Sequence, residues 1–183
     1  MPNLIFHEVD HARWTDFEQL FESRGGPKSC WCMVWRAQGA ETKQTKGPQR
    51  KQAMKARIEA GIPVGLLGYL AERPVAWCSI APRASYRSLG GPIAPDGQED
   101  SIWSLVCFFI KREFRDQGFS ATLIQAAIAH AGSRGARIVE AYPVDPGSPS
   151  YRFMGYVPMF EQAGFKHVGV AGSRRHVMRF QLR

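Results

Sequence analysis

The sequence predicts a mixed α/β fold, with one sheet of six to seven strands flanked by about four helices. Residues 101–110 form a nearly continuous apolar run, too apolar to face water on either side, which places it at the centre of a sheet. An amphipathic stretch follows, with Phe119, Leu123, Ile124, Ala127, Ile128 and Ala131 on one stripe, and then a second apolar run over 137–142. Strand, helix and strand make a βαβ crossover, so these two strands are expected to be parallel and joined right-handedly. Two further pairs of apolar runs, 64–72 with 75–81 and 166–170 with 176–182, are spaced as antiparallel hairpins.

In chain order, residues 3–9 make a short first strand, and Thr15-Asp16-Phe17-Glu18 reads as a capping box opening a helix that buries Phe17, Leu20 and Phe21. Gly25, Gly26 and Pro27 stop it. The next segment, Cys30-Trp31-Cys32-Met33-Val34-Trp35-Arg36, is too aromatic for a plain surface loop. A basic helix follows over 48–60, with Pro48 in its first turn and Gly61 at its end. The first hairpin turns at Arg73-Pro74 and ends at Pro82. Residues 83–99 hold three glycines and two prolines and read as a long surface loop, a feature commonly functional in compact domains. The crossover helix ends between Gly132 and Gly135. Pro158 opens a short helix reaching Ala163, which Gly164 closes as a left-handed cap. No internal repeat or domain boundary interrupts residues 1–183, so a single domain is expected.

With 44% hydrophobic and 22% charged residues, the 183-residue chain has an ordinary globular composition and enough length for a proper core. It contains no run of eighteen apolar residues and no basic leader before an apolar stretch, so a cytoplasmic protein without a membrane partner is expected. Cys30, Cys32, Cys78 and Cys107 look like reduced thiols, with Cys78 and Cys107 in apolar runs that suit the core. Lysine and arginine number 24 against 16 acids, a net charge of +8 that favours an anionic ligand. The excess is concentrated over residues 36–57, where only Glu41 opposes seven basic side chains, and at Arg174, Arg175, Arg179 and Arg183. The first stretch reads as a solvated helix face. No zinc-finger, RNP or basic-zipper pattern accompanies it, so nucleic acid is not the expected partner.

The stretch Ile110-Lys111-Arg112-Glu113-Phe114-Arg115-Asp116-Gln117-Gly118-Phe119-Ser120 carries the chemistry. A strand feeding a helix through such a basic turn leaves unpaired amides at the helix start, backed by the positive end of the macrodipole. That is a cradle for an anion, best suited to phosphate. Asp116 is unfavourable beside a bound anion and is expected to point outward. Cys30 and Cys32 can hold zinc only with further ligands, and no second Cys/His pair has suitable spacing, so no metal is expected. No Gly-x-Ser-x-Gly elbow marks a hydrolase.

The order of elements, Arg115-x-x-Gly118-x-Ser120 after the central strand, and Phe160-Glu161-Gln162-Ala163-Gly164-Phe165 near the end together resemble the GNAT superfamily of acetyl-CoA-dependent N-acetyltransferases. The Cys-Trp-Cys-Met segment is similar to stretches in bacterial GNAT proteins of unassigned function. The resemblance implies a GNAT-like acyl-CoA N-acyltransferase fold with a splayed parallel strand pair. It also implies acetyl-CoA as co-substrate, with the diphosphate on the turn formed by Arg115, Gln117, Gly118, Phe119, Ser120 and Ala121. The pantetheine arm would pair with the backbone of Phe108, Phe109 and Ile110 as an added strand. The implied reaction is direct attack by a small-molecule or peptide amine on the thioester, which needs a neutral amine, an oxyanion donor and a proton for the leaving thiolate.

Many family members place a tyrosine four residues before the glycine of the Gly-Phe pair; here that position is Phe160, which cannot donate. Tyr156 and Tyr142 are the candidate acids, each also readable as packed core. Glu140, Glu99, Asp100 or a water are candidate bases. Trp31 and Trp35 are expected to pack over the sheet as a wall of the acceptor pocket or as plain core, and exposed aromatics there can support a homodimer. Loss of the tyrosine leaves open a GNAT-like module that binds CoA or another anion without catalysis, and the basic stretch leaves open a nucleic-acid-associated protein.

Overall fold

Seven strands, β1 (Ile5–Glu8), β2 (Leu66–Leu70), β3 (Arg73–Pro82), β4 (Ile102–Ile110), β5 (Ile138–Ala141), β6 (Lys166–Ala171) and β7 (Arg175–Gln181), form one sheet in the order β1-β2-β3-β4-β5-β7-β6. Four helices accompany it: α1 (Trp14–Glu22), α2 (Gly47–Glu59), α3 (Phe119–Ser133) and α4 (Val157–Gln162). The structure is a computed structural model and describes residues 3–95 and 97–183, so Asp96 of the long loop lies outside the described residues. Every strand pair is antiparallel except β4 with β5.

The sheet divides two apolar layers. On one side, all six residues of the α3 stripe are buried against Val75, Ile80, Leu105 and Val139. On the other, α1 and α2 bury Phe17, Leu20, Phe21, Met54 and Ile58 against Leu67 and Trp77. Phe17 and Phe21 rings lie 4.2 Å apart, and Trp31 stacks on Phe21 at 5.2 Å, so an aromatic cluster fixes α1 to the sheet. β4 takes the central position expected of its apolar run, with Leu105 and Val106 fully buried.

Two local readings differ. The first hairpin turns at Ala71 and Glu72, not at Arg73-Pro74; both have positive φ, 46° and 65°, the two-residue turn whose twist matches antiparallel strands. Pro74 sits inside β3 next to a register shift at Gly68/Tyr69, which spares the ladder its missing donor. Helical structure before α1 also begins earlier than Thr15. Asp10, in extended backbone, accepts from the Arg13 N–H at 3.0 Å and caps a short turn over 11–13 that runs into the helix.

The feature that positions the site is the early parting of β4 and β5. They pair only from Ile102↔Ile138 to Leu105↔Ala141. Pro143, which has no N–H, follows β5, and Val144 then bridges to Tyr156 and Arg175 rather than to β4. On its other flank, β4 pairs Ser79↔Cys107 and Ile80↔Leu105, so Val106 is the extra residue of a bulge that increases local twist. Among the described residues, 106–110 therefore keep β3 as their only strand neighbour.

Candidate active site

The opening beside β4 is a cleft of about 590 Å3. Phe108, Phe109 and Ile110 form one wall, Arg115, Asp116, Gly118, Phe119 and Ser120 another, and Arg152, Phe153 and Tyr156 the third. The expected strand and helix residues are thus brought together. Gln117 and Ala121 are not on the wall: the Gln117 side-chain amide donates to the Glu113 carbonyl at 3.1 Å, and the Ala121 N–H to the Gly118 carbonyl at 3.1 Å.

At the base of α3, none of the backbone N–H groups of residues 116–120 has a protein acceptor among the described residues, and no side chain caps the helix. Asp116 and Gly118 have left-handed φ values of 61° and 77°, which gathers successive amides into a concave nest. A Cβ built at Gly118 meets no protein atom within 4 Å, so this backbone faces open space. Arg115 donates from Nε to the Ile110 carbonyl at 3.0 Å, and Arg152 from Nε to the Ser148 carbonyl at 2.6 Å, placing two guanidinium groups at the cleft. Asp116, expected to point outward, is exposed but lines the cleft as well, and it makes no ion pair among the described residues. Donors, positive charge and an unpaired strand edge together fit a diphosphate carrying a polyamide tail. Arg152 and Phe153 escaped sequence reasoning. The signal for them was a basic and aromatic pair shortly after β5, where ligand sites of parallel strands collect.

The candidate catalytic residues separate. Tyr156 lines the cleft at the N-terminus of α4, half-buried, with no hydroxyl partner among the described residues. Tyr142 and Glu140 are not among the described residues that line this cleft; both are fully buried in a polar network. The Tyr142 hydroxyl meets Glu140 at 2.5 Å and Ser104 at 3.0 Å, while Glu140 also takes Arg179 Nε at 2.7 Å and Arg83 at 3.4 Å. Burial, and then the Glu140 carboxylate, hold the Tyr142 hydroxyl well above the usual phenol range. Glu99 and Asp100 precede β4 at the end opposite the cleft. A nine-residue strand is about 30 Å long, so neither reaches the cleft. Phe160 is fully buried against Phe108 and Phe165, which explains an apolar ring there.

A second chamber of about 420 Å3 opens from the cleft, sharing Phe108, Phe109 and Phe153 with it. Cys30, Cys32, Val34 and Trp35 form one wall, and Ser79, Tyr86, Val106, Cys107 and Tyr151 the rest. The aromatic segment therefore serves both ways: Trp31 is core at 1% exposure, whereas Trp35 faces the chamber. Cys107, expected in the core, is half-buried and faces the chamber, because the bulge at Val106 turns this part of β4. Cys32 Sγ lies 3.5 Å from Cys107 Sγ and accepts from Trp77 Nε1 at 3.2 Å. Trp31, Cys32, Asp116 and Tyr151, all non-glycine residues at positive φ, sit at the two hollows or beside them. A separate hollow of about 480 Å3, between Asp145, Gly147 and Arg174, shares no residue with either. Among the described residues no group of three His, Cys, Asp or Glu side chains is placed to hold a metal, and no helix is long and apolar enough to cross a membrane.

A central strand parting from its parallel neighbour above an amide nest defines an acyl-CoA-type acyltransferase architecture. The sequence model of the acetyltransferase (GNAT) family matches residues 31–156, and the chain belongs to that family. Solved structures agree on the fold. The GCN5-related N-acetyltransferase from Kribbella flavida is 15% identical, with 98% of each chain covered and a TM-score of 0.59. Salmonella typhimurium yncA, solved with its cofactor acetyl-CoA, is 14% identical over 98% of this chain and 94% of that one, at 0.58. PaiA N-acetyltransferase from Thermoplasma acidophilum, in complex with coenzyme A, is 14% identical over 98% and 99%, at 0.57. No curated protein matches the sequence.

Proposed function

We propose that this chain transfers an acetyl group from acetyl-CoA to an amine by direct attack within a ternary complex. The observation that carries the reading is the run of free amides at 116–120 facing the same cleft as the unpaired edge of β4. Acetyl-CoA supplies the activated acyl group. The nest and Arg115 would hold its diphosphate, with Arg152 beside them, and backbone groups of residues 108–110 would hold its arm. A β4 amide near Phe109 or Ile110 would donate to the carbonyl oxygen as negative charge develops there. Much of the acceleration would come from holding the two reactants side by side.

In this reading Tyr156 is the proton donor to the leaving thiolate, since its hydroxyl is free and it shares the cleft with Phe108. Tyr142 and Glu140 act as positioning residues that fix β5 beside β4. The acceptor enters through the chamber walled by Trp35 and Tyr86. Calorimetric titration of the purified chain with acetyl-CoA tests the reading. Saturable heat is expected, and its absence at millimolar cofactor rejects it. Thiol release with an amine panel then separates an enzyme from a module that only binds CoA.

A further inference from the structure

The acceptor chamber is built against positive charge. Among the described residues, no Asp, Glu, Lys, Arg or His lines it. Arginines stand behind its walls instead. Arg36 is fully buried, with its guanidinium 4.4 Å from the centre of the Tyr86 ring and Nη2 bonded to Ser79 Oγ at 2.6 Å and to the Tyr86 hydroxyl at 2.9 Å. Its Nε and Nη1 have no partner and it makes no ion pair among the described residues, while Glu41 is taken by Arg57 at 2.6 Å. A buried cation without a counter-charge raises the cost of bringing a second cation near.

The aromatic faces tell the same story. Rings can hold an ammonium through their π faces. Here Arg175 lies 4.5 Å from the Trp35 ring and 5.5 Å from that of Tyr151, and Arg87 5.7 Å from Trp35. The wall's own titratable groups supply no compensating charge. Burial raises the Tyr86 hydroxyl to about 12, and hydrogen bonds among the thiols, with burial, push Cys30 and Cys32 up. The chamber is thus apolar, lined with rings, free of carboxylates and ringed by guanidinium groups.

From this, resting on the acetyl-transfer reading above, we infer that the acceptor is an aromatic amine whose nitrogen is uncharged at neutral pH, rather than a polyamine, a lysine or another ammonium. Such a substrate arrives already deprotonated. No base is then needed to free the nitrogen lone pair before attack; as the C–N bond forms and the C–S bond breaks, the proton the nitrogen loses replaces the one Tyr156 passes to the thiolate. A volume of about 420 Å3 suits one or two rings.

The test uses the full chain with saturating acetyl-CoA and follows thiol release with aniline, naphthylamine, phenylethylamine and spermidine from pH 6.5 to 9. Expected are kcat/KM values for the two arylamines about 100-fold above spermidine at pH 7. Their profiles should be flat, whereas phenylethylamine, an ammonium at neutral pH, should gain about tenfold per pH unit as its free base appears. Val34→Glu places a carboxylate on the exposed lip of the chamber and should raise the spermidine-to-aniline ratio about tenfold. Spermidine turned over as well as aniline at pH 7, or an unchanged ratio in that variant, overturns the inference while leaving acetyl transfer standing. A separate titration with naphthylamine, without cofactor, keeps the two readings apart. Should acetyl-CoA fail to bind, heat with naphthylamine and none with spermidine still supports the chamber's selectivity, and the reverse ends it.

Discussion

The Tyr142 hydroxyl lies 2.5 Å from Glu140, and both side chains are fully shielded from water. The carboxylate faces Arg179 on β7 and Arg83 after β3, so this pair ties together three parts of the sheet rather than facing the reactants. Tyr142→Phe should therefore lower stability by about 1–3 kcal/mol, because a buried carboxylate loses a donor. The kcat at a temperature where the variant stays folded should change less than threefold. Chemical denaturation and steady-state rates check both.

Tyr156→Phe should do the opposite. Its half-buried hydroxyl has no structural partner among the described residues, so stability should change little. If it protonates the departing thiolate, kcat should fall about 100-fold, with acetyl-CoA affinity unchanged by calorimetry.

Gly118→Val should abolish measurable acetyl-CoA binding, a loss of about 100-fold or more. The residue holds φ at +77°, where a β-branched side chain is strained, and its Cβ would project into the open space proposed for the diphosphate. The melting temperature without ligand should drop by a few degrees, and circular dichroism should stay native.

Glu41 and Arg57 give a pH prediction. The Arg57 guanidinium, bonded to both oxygens, lowers the Glu41 pKa below its ordinary 4.5. The folded state thus binds fewer protons than the unfolded one. Their contribution is full above about 4.5 and is lost as pH falls through the lower folded value. Glu41→Gln should cost about 1 kcal/mol at pH 7, and the difference from wild type should shrink below pH 4. Melting curves from pH 3 to 7 read this directly.

Much of the fold is legible in the sequence because periodicity is. The six-residue stripe of α3 and the apolar run of β4 could be buried in few other ways, and both are found as expected. The nest was readable because Gly118 after a basic strand end has few structural reasons to exist. Turn details were not: Ala71 and Glu72 carry no glycine or asparagine to announce left-handed backbone. Nor could the sequence tell that Glu140 and Tyr142, two residues apart on a shared face, point into a buried ion network, since Arg83 and Arg179 reach it from distant segments. Arg36 was the least legible. Within a run of basic residues it reads as a solvated side chain, yet Ser79 and Tyr86 draw it inside.

Because β4 separates from β5 after Leu105, its two halves should differ in amide exchange although they belong to one strand. Protection should be near-global over 102–105, held on both flanks, and weaker over 106–110, held on one. If the proposed acyl donor fills the gap as an added strand, its binding should erase that contrast and slow exchange over 106–110 to the level of 102–105.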